Sequence, residues 1–518
     1  MAFPLPSVGI PTFDLESHTS HYTPPLLPLR LLHIAAHCPP LAHQSLTFAL
    51  EVIKLGKDVS LYHRATDLAS LLGYADLAVK DGEWLARRED ANRRELTRLE
   101  GELKGYKNNL IRESIRMGQE DLALHLSATG GQAAAVTKED DPEAMAAPST
   151  QGLVVAYTTM SRVRDFCSTP SHIAGLTLRL QQIALQQAVT AQQTGLSASP
   201  HWQNVLATSN RLKSVGVKDE EQVLLTPLAA AGAGLAHLCT SDYISAAKSF
   251  LAVPFSLATQ PAVQGVNFTA STASANDIAI YGALTSLATL SREELQTKVL
   301  DSPFRAFLEL EPHVRKAISL YLNAKYSACM ALLSRYYADW SLDLYLGAGL
   351  GQGHSHVDRL FARIREKSIT AYFSSFSSVS LSSLASTFPP TGLPPSTSRE
   401  GVEKVMETEI LSLISSGALN ARLDAVNGTI MSPSKDARIE AHAEAGKLAE
   451  EVERGLRLRL HRVNCLISNL EIVGAGAPGG KGGKAAWGVE SKAWRGRKGM
   501  TNGRVGLAMA FLLLLAAI

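Results

Sequence analysis

Between Val357 and Met431 the hydrophobic spacing changes character several times, and that order constrains the fold more than any other part of the chain. The run Val357-Asp-Arg-Leu-Phe-Ala-Arg-Ile-Arg-Glu-Lys sets apolar residues at 357, 360, 361 and 364, the spacing of one helical face. A serine-rich segment from Ser374 to Ser380, with Phe376 and Val379 inside it, leads to a short apolar helix, Leu381-Ser-Ser-Leu-Ala-Ser-Thr-Phe. A third predicted helix carries Val402, Val405, Met406, Ile410, Leu413 and Ile414 on one face and stops at Gly417. Then Ala421-Arg-Leu-Asp-Ala-Val-Asn-Gly-Thr-Ile-Met reads as two short strands. Asn427-Gly428 between them suits the two positive-φ positions of a tight hairpin. Three helices followed by a two-stranded wing is the order of a winged-helix module, placed here at residues 357–432.

At 518 residues the chain is too long for one core, so two or more domains are expected. Aromatics are only 6 % while Ala and Leu dominate, which favours helices packed on helices over a β-rich fold. A net charge of +2 gives no global push toward nucleic acid. Five cysteines (38, 167, 239, 329, 465) are scattered and never form Cys-x-x-Cys, so buried reduced thiols are expected rather than disulfides or a zinc cluster. The opening Met-Ala-Phe-Pro-Leu-Pro-Ser lacks the basic n-region of a signal peptide.

Residues 1–25 are proline-rich and predicted to be a flexible tail. From Leu26 short helices with short connections follow, the texture of stacked hairpins, over a helical-repeat region 26–235. One long helix is predicted from Asp76 to Gly118, with a seam at Leu96, Leu99, Leu103, Tyr106 and Leu110. Nine Lys/Arg and seven Asp/Glu interleave over 83–118, the pattern of a solvated helix face. Gly-Gly, the acidic run Glu139-Asp-Asp and Pro-Ser-Thr mark an insertion at 128–152. Gly234, Ala246 and Phe250 have the small-small-aromatic spacing by which a tetratricopeptide-like hairpin closes on itself. A second, densely helical part spans 236–356; Ser291-Arg-Glu-Glu294 is a capping box and Pro312 opens a helix. After the winged helix a long helix is predicted over 434–472. Its seam Leu456, Leu460, Val463, Ile467 and Leu470 steps four-three-four-three with no partner assigned.

No catalytic, cofactor-binding or metal-ligating residue is assigned. His354-Ser-His356 invites a zinc reading, but 364–371 offers no Asp at the distance of a third ligand, so histidines in a Gly-rich loop are expected. The last helix of the winged module carries Glu400, Glu403, Glu407 and Glu409 against Lys404, a net of −3. A polyanion repels such a helix, so the module is read as a protein-interaction element rather than a duplex reader. Gly474 to Gly483 has no Gly-Lys-Ser/Thr element, and neither a Gly-x-Ser-x-Gly elbow nor a kinase signature occurs.

Several runs resemble a known family. Tyr106-Lys-Asn-Asn-Leu-Ile-Arg-Glu-Ser-Ile-Arg-Met-Gly, Arg162-Val-Arg-Asp-Phe-Cys-Ser-Thr-Pro-Ser-His-Ile, Asn276-Asp-Ile-Ala-Ile-Tyr-Gly-Ala-Leu and Phe307-Leu-Glu-Leu-Glu-Pro-His-Val-Arg are similar to PCI-domain scaffold subunits. Ser327-Ala-Cys-Met-Ala-Leu-Leu and Gly417-Ala-Leu-Asn-Ala-Arg-Leu-Asp continue the match, which covers about residues 28–470 and is nearest the signalosome branch. The resemblance implies a mostly α fold: a TPR-like helical solenoid, then a PCI domain of helical hairpins plus winged helix, then a C-terminal bundle helix. It also implies a non-catalytic subunit of the complex that removes Nedd8 from cullin-RING ubiquitin ligases, in nucleus and cytoplasm, with other PCI and metalloprotease subunits as partners. No cofactor and no small-molecule substrate are implied. The proteasome lid is the alternative assembly; a winged-helix nucleic-acid binder is the alternative class.

The candidate partner-interface residues are Leu423, Val426, Ile430 and Met431 on the wing and Leu456, Leu460, Val463, Ile467 and Leu470 on the terminal seam. The tail 473–518 departs from the family pattern, with seven Lys/Arg, one acid and the apolar run 505–518. Fourteen uncharged, mostly apolar residues fall short of the roughly 20 a spanning helix needs, so a disordered basic tail or an erroneous C-terminal sequence is expected over a membrane anchor.

Overall fold

A computed structural model describes residues 11–130, 150–349, 354–389, 399–432 and 437–468. The chain is mostly helical and divides into two compact units, up to Pro433 and from Ser434.

In the first unit, α1 (Leu15–Ser20), α2 (Leu27–His37), α3 (Pro39–Leu55) and α4 (Val59–Leu71) lead into α5 (Gly82–Asn108) and α6 (Arg112–Ala128). Then come α7 (Thr150–Arg162), α8 (Pro170–Gln193), α9 (Ser199–Lys213), α10 (Asp219–Cys239) and α11 (Tyr243–Leu251). Helices α2 and α3, and the run from α5 to α11, pack mainly on the next helix in sequence, which is how a solenoid buries faces that no single hairpin could cover. Local caps set the starts: the Asp58, Asp81, Thr169 and Asp242 side chains each accept a backbone N–H at N3.

The hairpin of α10 and α11 closes as the spacing predicts. Gly234 lies against the Phe250 ring, where an added Cβ would sit 2.6 Å from the nearest ring carbon, and Ala246 is buried beside it. Helix α10 is also long and apolar enough to cross a membrane by length and composition, yet most of its apolar stretch is buried inside the protein.

The predicted single helix 76–118 is broken twice: a one-turn helix at Ala75–Ala78 precedes α5, which starts only at Gly82. Helix α5 then stops at Asn109, and Leu110 turns the chain at φ +56° into α6. Leu96, Leu99 and Leu103 are buried, but against Ile115, Leu122 and Leu126 of α6 and residues of α7 and α8. Leu110, the last residue of the expected seam, is 80 % exposed. A heptad-like spacing states that a partner face exists, not whether the partner is another helix or the chain's own return. The hairpin of α6 and α7 is closed across the insertion: Leu126, Ala156 and Met160 share one core, while residues 131–149 lie outside the described residues.

The helices α12 (Ala275–Thr289), α13 (Arg305–Leu310), α14 (Pro312–Leu322), α15 (Tyr326–Arg335) and α16 (Tyr337–Ser341) follow. Capping boxes at Ser274/Asp277 and Ser291/Glu294 and Pro312 in a first turn start three of the helices here, the second a single turn at Arg292–Leu295. Then come α17 (His356–Phe373), β1 (Ser378–Ser380), α18 (Leu381–Thr387), α19 (Arg399–Ser415), β2 (Arg422–Asp424) and β3 (Thr429–Met431). The strands form one antiparallel sheet of order β1-β3-β2. The serine-rich segment therefore supplies a third strand that its composition hid; Val379 alternates inward and is buried, Ser378 faces out.

The proline-rich start, expected to be a flexible tail through residue 25, is packed from Pro11 on. Leu15 and Tyr22 are buried, Thr12 N–H and Oγ1 donate to Asp339, and Thr23 N–H donates to Ala270 O. Composition reports propensity for disorder, but two large apolar side chains with a waiting pocket outweigh it.

Among its described residues the second unit is α20, Ala437–Ile467, a 31-residue helix.

Candidate assembly surface

The winged module is held by Arg365 of α17. Its guanidinium makes a bidentate pair with Glu409 of α19, Nε to Oε1 at 2.6 Å and Nη2 to Oε2 at 3.0 Å. It also donates to Phe388 O and Pro389 O at the end of α18. One planar fork thus ties three helices together. Helix α19 is less acidic than its four glutamates suggest: it begins at Arg399, which brings its net charge from −3 to −2, and Glu409 is paired with Arg365.

Next to it, Lys367 donates to Leu287 O and Leu290 O, closing the C-terminal end of α12. Burial pulls its pKa down to about 8, against the opposing charge of Glu294. His356 is fully buried at the start of α17, with Nδ1 3.0 Å from Tyr243 Oη. Burial lowers its pKa to about 3, with Arg359 adding to the fall, so the ring is neutral. His354 is exposed, and among the described residues no group of three or more His, Cys, Asp or Glu has metal-binding geometry.

The wing differs in detail from a two-residue hairpin. Pairing Asp424 with Thr429 leaves a four-residue loop, Ala425–Gly428, in which Gly428 alone takes positive φ, +58°. The Asp424 carboxylate accepts from Val426 N–H, Asn427 N–H and Asn427 Nδ2, so an Asp turn sets the bend. The period-2 alternation then divides the candidate residues. Ile430, on the central strand, is fully buried, and Leu423 is half-buried on the same inner face. Ile430 is therefore a core residue, contrary to the expectation that it meets a partner, while Leu423 packs against the core and keeps part of its surface open. Val426 at the loop tip is 94 % exposed, and Met431 faces out. Among the described residues, strands β1 and β2 each pair on one side only, leaving a backbone edge on each.

On α20, Leu456, Leu460, Val463 and Ile467 are all exposed, while Leu470 lies outside the described residues. The apolar stripe begins earlier than the sequence seam: Leu448 and Val452 continue the i,i+4 spacing upstream and are exposed as well.

One constellation escaped the sequence altogether. Arg30 on α2 is buried between Asp277, whose carboxylate Oδ2 is 3.4 Å from Nη2, and Asp343, 2.9 Å from Nη1, and donates to Thr272 O. Tyr22 donates to Asp277, Tyr281 to Asp343, and Arg30 lies 4.1 Å over the Tyr22 ring. Burial pushes Asp277 up in pKa despite Arg30. Burial acts the same way on Asp343, but Arg30 and the Tyr345 and Leu346 N–H groups outweigh it and hold that carboxyl below the ordinary range. No local spacing joins residues 30, 277 and 343.

The sequence as a whole is similar to a known set of proteins. A family model described as 26S proteasome subunit RPN7 matches residues 81–140 and 152–298, and the PCI domain model matches 333–434, from within α15 to the wing. COP9 signalosome complex subunit 1 of Emericella nidulans is 38 % identical over 465 residues, 89 % of this chain and 84 % of that protein. The chain belongs to the COP9 signalosome subunit 1 family. Members of that family from Neurospora crassa and Arabidopsis thaliana are 32 % and 29 % identical, over 87 % and 89 % of this chain and 90 % and 91 % of theirs. Similarity to these three signalosome subunit 1 relatives covers 87–89 % of the chain, more than either domain model does.

Proposed function

We propose that this chain is a non-catalytic scaffold subunit of a signalosome-type complex that supports removal of Nedd8 from cullin-RING ligases in nucleus and cytoplasm. The observation that carries the reading is the pairing of similarity over 87–89 % of the chain to subunits bearing the signalosome name with two surfaces a lone chain leaves uncovered. These are the open strand edge at β2 with Val426 and Met431 beside it, and the apolar stripe of α20. Neighbouring PCI subunits would take the strand edge, and further terminal helices would take the stripe.

Affinity purification of the native chain followed by mass spectrometry tests this. The expected result is a set of other PCI subunits with a metalloprotease subunit, and retention of a core of them only when residues 437–468 are present. Recovery as a lone monomer would overturn it. The match of residues 81–298 to the proteasome RPN7 model supports a lid-type scaffold as second reading, and proteasome partners in the same experiment would select it.

A further inference from the structure

The turn between α5 and α6 exposes two adjacent aliphatic residues, Leu110 at 80 % and Ile111 at 54 %. Leu110 sits at the αL position just past the end of α5, a conformation glycine or asparagine adopts at least cost. Asn108 and Asn109 precede it, so an αL-tolerant side chain is one position away and the turn displays leucine instead. Arg112 donates to Asp165 O, which draws the end of the next hairpin, Arg162–Asp165, against this tip.

The surrounding charge is one-sided. Lys104, Lys107, Arg112, Arg162 and Arg164 are exposed and make no ion pair among the described residues; with Glu113 and Asp165 the tip has a net of +3 in a chain whose total is +2. Glu113 is already held by Arg116. Other cations of α5 such as Arg94 and Arg98 do have carboxylate partners one turn away, so the uncompensated charge is local to the tip.

From this geometry we propose that the tip is a docking surface for an acidic protein segment carrying an aliphatic side chain, which covers Leu110 and Ile111 while its carboxylates meet the five cations. Complementary charge brings the segment in, and burial of the aliphatic pair gives it preference over any other polyanion. Nucleic acid fits less well. Tyr106 is turned onto Gly118 and Phe166 packs on the core, so neither ring stands free as a stacking platform. The surface uses no residue of the wing or of α20, so its test does not depend on the assembly reading.

The full chain is titrated with three fluorescent probes: a short glutamate peptide with leucine at every fourth position, an all-glutamate peptide of equal charge, and an oligothymidine of equal charge. The leucine-containing peptide is expected to bind about tenfold more tightly than either of the others. Leu110→Asn, which suits the αL turn and so preserves the fold, is expected to remove that preference, and Lys107→Glu/Arg112→Glu to remove binding of all three. Equal binding of oligothymidine, equal binding of the leucine-free peptide, or no binding by any probe would overturn the proposal. A photo-crosslinker at Ile111 in the purified complex gives the second readout. A cross-link to an acidic stretch of another subunit supports it; one to this chain's own Glu139–Asp141, or to a neutral or basic surface, overturns it.

Discussion

Arg30 Nη1 lies 2.9 Å from Asp343 Oδ1, a buried pair between residues 313 positions apart in the chain. Asp343 belongs to the buried, irregular stretch Leu342–Ala348, where its carboxylate also accepts from Tyr345 and Leu346 N–H. Buried backbone without helix or sheet needs such side-chain acceptors, and a buried carboxylate in turn needs a cation. An arginine of α2 therefore completes the interior around Asp343, far along the chain.

Arg30→Ala should cost about 3–5 kcal/mol, because it strands two carboxylates in the interior. Arg30→Met combined with Asp343→Asn should cost less than Arg30→Met alone, since the asparagine carbonyl can keep the two backbone N–H groups without a charge to compensate. Thermal unfolding of the three variants measures the difference. Equal loss in the single and double variants would show that packing of the long side chain dominates.

Glu311 gives a pH dependence of definite sign. Burial, with the charge of Asp277, raises its pKa to about 7 from an ordinary 4.5. Between those values the folded chain holds a proton that the unfolded chain has lost, so this group's contribution falls as pH rises through that window. Glu311→Gln should flatten the profile and raise the melting temperature above pH 7 by about 2–4 °C, with little change at pH 5. Calorimetry across that range decides it, and parallel profiles for both proteins would refute it.

Gly234→Ala should destabilise by about 1–3 kcal/mol through overpacking against the Phe250 ring. Phe250→Leu makes room, so the double variant should lose less than the sum of the two single ones. A double-mutant cycle with no coupling would mean the ring moves aside freely.

Arg365→Lys keeps the charge but not the fork that reaches Glu409, Phe388 O and Pro389 O. Hydrogen exchange should quicken in α18, α19 and the wing while amides of α2 and α3 keep their protection, and stability should drop by about 1–3 kcal/mol. Uniform quickening across both regions would mean the module has no separate opening.

Periodicity in the sequence determined which segments are helical, the closing of α10 on α11, the capping boxes, the order of the winged module and the existence of an apolar stripe on α20. These are properties of neighbours within a few residues, where spacing maps directly onto a face. The third strand was missed because three residues of Ser-Val-Ser carry almost no alternation of their own. The expected helix through Leu110 failed because its seam found a partner in the chain's own return. Within the candidate surface, only the tertiary structure separated Val426 and Met431, which face out, from Leu423 and Ile430, which face the core: a register of one residue reverses every side chain in a strand. It alone brought Tyr22, Arg30, Asp277 and Asp343 together and turned a proline-rich start into part of the core. Buried charge is satisfied across the fold rather than along the chain, and no local pattern records where the opposite charge will come from.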